Sequence, residues 1–167
     1  FQDGDRASGV FGVIATGFSV LLGFVVFLSF TSYDNARAGA ESEALMIAQQ
    51  VETAQLLGPE VRDTLTGQLI CYGRSVVHDE WPAMRDGRLG DGVNPWAVAM
   101  FHTIEGIEPK SNAQQSAYDQ WLGQTSQREE GRLTRIHPAS GVIPTPLWIV
   151  LVAIGFVIFG YMLFFAD

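Results

Sequence analysis

The chain has 167 residues, is 47% hydrophobic and 17% charged, and carries ten basic against eighteen acidic residues, for a formal net charge of −8. Such an acidic chain lacks the basic face that nucleic-acid phosphates require, and it lacks the Lys and Arg clusters that hold a protein broadly on anionic lipid. Its single cysteine, Cys71, excludes an internal disulfide framework and cannot by itself form a thiolate metal site.

The first predicted element is the uncharged stretch Ala7 to Tyr33. It exceeds the roughly 20 apolar residues that a hydrocarbon core about 30 Å thick demands of a helix. Its flank holds Asp3, Asp5 and Arg6 rather than the basic n-region of a cleaved signal peptide. On this span Gly12, Thr16, Ser19 and Gly23 recur at spacings of three and four, which draws a stripe of small residues along one face. Small side chains let a second helix approach closely in a bilayer. Two partners satisfy the stripe, a helix of another chain or this chain's own second span with Ala153, Gly155 and Gly160, and the sequence leaves both open.

Between Asp34 and Thr145 lie nine of the ten basic and fifteen of the eighteen acidic residues, so this middle is polar and carries six excess negative charges. Ala40, Ala44, Ile47, Val51 and Ala54 place one apolar stripe on a helix from Ala36 to Leu57. Only Gly39 interrupts the path from the first span, so the two are expected to form one long helix. Gly58 stops it and Pro59 starts the next, the usual order of a C-terminal Gly and a first-turn Pro. Val61, Leu65, Leu69, Tyr72 and Val76 carry that helix to about Met84.

A loop rich in turn formers runs from Asp86 to Pro95. Asn94 and Pro95 suit the N-cap and first position of a short helix bearing Trp96, Met100 and Ile104. Ser111 and Gln114 form a capping-box signature for a further helix carrying Tyr118, Trp121, Leu122, Leu133 and Ile136, with Gly123 and Gly131 weakening its interior. Pro138, Gly141, Pro144 and Pro146 make a connector into a second uncharged stretch that ends near Ala166. Trp148 and Tyr161 near the ends of this span fit the aromatic belts of membrane helices. The expected fold is an all-α membrane protein, two transmembrane helices joined by an antiparallel soluble helical bundle. Its parts are a flank and span over 1–33, a helical domain over 34–137, and a connector and span over 138–167.

Several short patterns in this order resemble a known family. They are G-V-I-A-T-G-F-S-V-L-L-G-F-V-V-F from Gly12, E-S-E-A-L from Glu41, the E-W-P of Glu80, Trp81 and Pro82, the region of Arg128 and Arg132, and I-P-T-P-L-W from Ile143. The chain is similar over nearly its whole length to bacterial bestrophin-like domain membrane proteins. True bestrophins are oligomeric anion channels, so the resemblance implies an anion channel oligomer as one reading. It also implies one further span on each side, and with Phe1 in place of a start methionine the chain reads as part of a longer protein.

The residues themselves favour another reading. Neither span holds an ionisable group of the kind that marks ion and proton paths. The expected function is a non-enzymatic integral membrane protein, an oligomerising or accessory subunit of a membrane assembly. Its partners would be the lipid bilayer and other transmembrane helices. No catalytic, cofactor or metal site is expected. His78, Asp79 and Glu80 are neighbours, His102 and Glu105 sit three apart, and Glu41 and Glu43 share a helix. None of these repeats as the paired Glu-x-x-His of a di-iron bundle. The Asp86 loop lacks the alternating oxygen ligands and final Glu of a calcium loop. Glu80 beside Trp81 near a helix end predicts a carboxylate paired with Arg128 or Arg132, with Trp81 filling the bundle end. The alternative is a partner contact made by Trp81.

The basic residues nearest the spans, Arg37, Arg128, Arg132 and Arg135, lie on the middle segment, against Arg6 outside it. That count points the middle into the cytoplasm, but the rule weakens for connections longer than about 60 residues. The resemblance implies basic connectors beyond the ends of this chain. The expected setting is therefore a multi-pass protein of the bacterial cytoplasmic membrane with its helical domain on the extracytoplasmic side.

Overall fold

The structure, a computed structural model, describes residues 2–88 and 92–165, with the side chains of 8–88, 92–139 and 141–164. Phe1, Asp3, Asp5, Arg6, Ala7 and Ala166, named above, fall outside the described side chains. All regular structure among the described residues is helical: α1 (Gln2–Ala54), α2 (Pro59–Ser75), a π-helical turn (Val76–Glu80), α3 (Trp81–Arg85), α4 (Pro95–Glu105), α5 (Asn112–Ile136), a 3₁₀ turn (His137–Ser140) and α6 (Thr145–Phe165). The span and the stripe that follows it thus belong to one helix, α1, because neither Gly39 nor any proline breaks the run.

The chain divides into two compact units, one comprising 1–33 with 141–167 and the other 34–140. In the first, α1 turns Phe11, Ile14, Phe18, Leu21 and Val25 inward, and α6 does the same with Leu147, Leu151, Ile154, Ile158 and Tyr161. These are helical spacings of three and four, and the Phe11 ring stacks on Tyr161 with centroids 4.3 Å apart. Only 6% of the most apolar window of each helix is buried, so neither is the core helix of a soluble protein. Both are long and apolar enough to cross a membrane.

The second unit is built around Ala54, Leu57, Leu65, Leu69, Tyr72, Val76, Met100, Ile104, Ala117 and Trp121. Each large side chain so buried contributes about 1.5–3 kcal/mol relative to exposure. The ends of its helices follow local chemistry. Gly58, at φ 101°, adopts a backbone that side-chain-bearing residues avoid, which turns the chain between α1 and α2. Asn94 caps α4 by accepting from the Trp96 amide at 3.0 Å. Ser111 caps α5 by accepting from the Gln114 amide, and Gln114 reaches back to the Lys110 amide, one residue earlier than the usual capping box.

Gly131 does not act as a weak point of α5. An added Cβ there would lie 2.8 Å from the Glu43 amide nitrogen, and one on Gly39 would lie 2.8 Å from the Gly131 carbonyl oxygen. The two glycines let the backbones of α1 and α5 touch. Of the apolar residues carried by this helix, Leu122 and Leu133 are exposed and Trp121 and Ile136 are buried.

A buried ionic network as the candidate functional site

The inner face of α5 continues from Ala117 and Trp121 through Gln124, Arg128, Arg132 and Arg135, again at spacings of three and four. Facing residues come from every other part of the unit: Glu43 and Gln50 from α1, Tyr72 from α2, Glu80 from the π turn and Asn94 from the α4 cap. A charged side chain on a buried stripe is stable only if it is paired and hydrogen-bonded.

Arg135, 1% exposed, is the centre. Its Nε donates to Glu43 Oε2 at 2.7 Å and its Nη2 to Glu80 Oε2 at 2.6 Å and Glu43 Oε1 at 3.2 Å. Its Nη1 points to the Met84 sulfur at 3.0 Å. Arg132 donates from Nε to Glu80 Oε1 at 3.0 Å, from Nη1 to Glu129 at 3.0 Å and from Nη2 to the Gly92 carbonyl at 3.1 Å. Asn94, while capping α4, donates its amide to Glu80 Oε1 at 3.2 Å. The Tyr72 hydroxyl donates to Glu43 Oε1 at 2.6 Å.

Arg128 stands apart. It is 1% exposed, with its guanidinium carbon 4.8 Å from the centre of the Tyr72 ring. Its Nη1 donates to Gln50 Oε1 at 2.6 Å and approaches the Met100 sulfur at 3.7 Å. Its Nε, with Gln124 Oε1 and Thr66 Oγ1, has no hydrogen-bond partner among the described residues. The predicted pairing of Glu80 is thus with Arg132 and Arg135; Arg128 instead joins α5 to α1 and α2 through Gln50 and the Tyr72 ring.

Electrostatics follow the geometry. Burial pushes the Glu80 carboxyl up, but the Arg135 hydrogen bond and the charge and bond of Arg132, helped by Asn94, outweigh it and hold the group below its ordinary range. Burial likewise lowers Arg132 and Arg135, and their carboxylate partners more than reverse it. In Arg128 burial wins, and its pKa falls. Burial, then the Glu43 charge and bond, raise the Tyr72 phenol well above its ordinary value, so it stays a neutral donor. Guanidiniums held against Glu80 and a phenol kept protonated fix charge in place at this junction.

Two clefts lie elsewhere on this unit. One of about 500 Å³ is lined by Leu57, Pro59, Val61, Ile107, Lys110 and Gln114 among others. A shallow one of about 260 Å³ runs past Cys71, Ser75, His78, Asp79 and Trp96. Neither shares a residue with the network. His102 and Glu105 are exposed and 3.4 Å apart, and Glu41 pairs with Arg37 at 2.9 Å on the surface. No group of three or more His, Cys, Asp or Glu among the described residues is arranged to hold a metal ion.

Trp81 is 51% exposed, so it does not fill the end of the bundle. In the first unit an added Cβ at Gly12, Gly23, Gly155 or Gly160 would meet nothing within 4 Å. Thr16 and Ser19 turn their hydroxyls back onto the Gly12 and Ala15 carbonyls at 2.8 and 2.9 Å. The small residues of α1 therefore lie outside the contact with α6.

Sequence reasoning did not single out Gln50, Tyr72 or Arg135 as network members, nor pair Glu43 with anything. Phase was the available signal: Glu43 and Gln50 fall on the same face as Ala40, Ile47 and Ala54, and Arg135 on the same face as Trp121 and Arg128.

No curated protein and no solved structure matches the chain. The family model of the Bestrophin-like domain matches residues 5–167, nearly all of it. With two helices apolar enough to span a bilayer and a match over this length, the chain is a membrane protein that belongs to the Bestrophin-like domain family.

Proposed function

We propose that this protein is a non-enzymatic subunit of a membrane assembly, in which the first part of α1 meets the transmembrane helices of another subunit and residues 34–140 form an antiparallel helical bundle. The observation that carries the reading is the open stripe of Gly12, Thr16, Ser19 and Gly23. A Cβ added at either glycine would meet nothing within 4 Å among the described residues, the hydroxyls are satisfied within their own helix, and the inward face of α1 is a different one. A strip of small residues on the side of α1 turned away from its packed face suits close approach of a further helix. The ionic network supports a scaffold role for the bundle, since Glu43, Glu80, Arg132 and Arg135 hold one another across three parts of it. No ionisable side chain among described residues 8–33 and 141–164 favours a charged path through the bilayer.

Purification in mild detergent tests the reading. A complex larger than one chain, with a second copy or a foreign subunit in fixed ratio, is the expected result. A symmetric homo-oligomer that passes anions in liposomes would replace it with the channel, and a lone monomer would remove both. We also place the bundle on the extracytoplasmic face of a bacterial cytoplasmic membrane. Single cysteines introduced at Asp86 or Gly92 should then react with a membrane-impermeant reagent in intact cells. Reaction only after lysis would reverse the sidedness.

A further inference from the structure

The run from Pro59 to Arg85 stays helical across a proline at position 82, and does so through the π turn. An α-helical proline at this position would lack the amide that bonds the His78 carbonyl, and its ring would press on that oxygen. Widening the preceding turn by one residue moves the carbonyl away. The Trp81 amide accordingly donates to the Val76 carbonyl, five residues back.

The wider turn also sets which residues face inward. Val76 and Glu80 are both buried, Trp81 turns out, and Met84 reaches the Arg135 guanidinium one turn later. In an uninterrupted α register the residues from Glu80 onward would rotate by up to about 100°. That rotation would take Glu80 away from contacts of 2.6 Å with Arg135 and 3.0 Å with Arg132. Pro82 is itself exposed, so its lever on the network is its backbone.

We infer that Pro82 is a positioning residue: by denying the His78 carbonyl an α-helical partner it holds Val76–Glu80 in π register, and that register turns Glu80 and Met84 onto Arg135 and Trp81 outward. The E-W-P pattern is then one device, with Glu80 as the aimed group, Trp81 as its outward neighbour and Pro82 as the constraint.

The test is Pro82→Ala in the full chain in detergent, made both alone and with Glu80→Gln, with melting temperature followed from pH 7 to pH 3. Replacing a proline inside a helix ordinarily raises stability. Here Pro82→Ala alone should lower the melting temperature at pH 7 and flatten its fall in acid, because Glu80 is no longer held against the arginines. In the Glu80→Gln background the same change should raise it. An equal rise in both backgrounds, or an unchanged acid profile, would overturn the inference. Should Pro82→Ala alone fail to fold, deletion of the exposed Val77 in that variant removes the extra residue of the turn and should restore folding with the native acid profile. A double variant that also fails to fold, or that folds without that profile, would count against the register argument.

Discussion

The two units of this chain solve the problem of packing helices with opposite materials. Around α6, the first part of α1 is packed by Phe11, Ile14, Phe18, Leu21 and Val25, without a charge among the described side chains and with its outer faces apolar. Residues 34–140 also have an apolar core, but the junction of α1, α5 and the π turn is ionic, with Glu43, Glu80, Arg132 and Arg135 all under a tenth exposed. In lipid, apolar surface needs no burial, so the first unit can leave most of its side chains outward. The second must close on itself, and it does so with directional contacts that fix register as well as bury area. Such networks can be retained for specificity rather than net stability, since desolvating ions offsets much of their attraction.

This contrast can be broken by removing a partner. Arg135→Met strands the Glu43 and Glu80 carboxylates in the core and should cost the second unit about 3–5 kcal/mol. Denaturant unfolding in detergent measures this; a loss under about 1 kcal/mol would mean that the carboxylates reach water and that the network is not buried as described. Next in size is the glycine crossing. Gly131→Val places side-chain atoms against the α1 backbone, where even a Cβ lies 2.8 Å from the Glu43 nitrogen, and should cost about 1–3 kcal/mol. Helix propensity alone predicts the opposite sign, so a stabilised variant would show that α1 and α5 do not touch there.

Acid sharpens the comparison further. Because the folded Glu80 carboxyl is held below its ordinary value, it adds stability that is fully present above about pH 4.3 and is lost as pH falls through the lower folded value. Melting between pH 7 and pH 3 should therefore show an acid loss that Glu80→Gln reduces; identical profiles would remove Glu80 from the account. The smallest effect belongs to the exposed Trp81. Trp81→Ala should change stability by no more than about 0.5 kcal/mol. A larger loss in the isolated chain would restore a core role for this side chain.

What the sequence made legible follows from which signals are local. The apolar ends, the Gly58–Pro59 break and the Asn94 and Ser111 caps depend on neighbours within a few residues, and the structure places helices and helix ends there. The ionic network depends on pairs such as Glu43 with Arg135, 92 positions apart, which no local pattern joins. Gly131 was misread for the same reason. By itself a helical glycine is a weakness, and only the opposing Gly39 makes it a contact. Glu80 was legible as a carboxylate seeking an arginine, but which arginine depended on the π turn, which turns it toward Arg132 and Arg135 and leaves Arg128 to Gln50 and Tyr72.

The central functional claim is that the open small-residue face of α1 is where another subunit binds. Gly23→Leu fills that face without touching the contact with α6, and Val13→Leu enlarges an exposed residue that is not part of the stripe. The mass of the complex in mild detergent, measured for the native chain and both variants, tests the claim most directly. The account predicts an assembly that Gly23→Leu reduces to a single chain and Val13→Leu leaves intact; a monomeric native protein, or an assembly indifferent to Gly23→Leu, would contradict it.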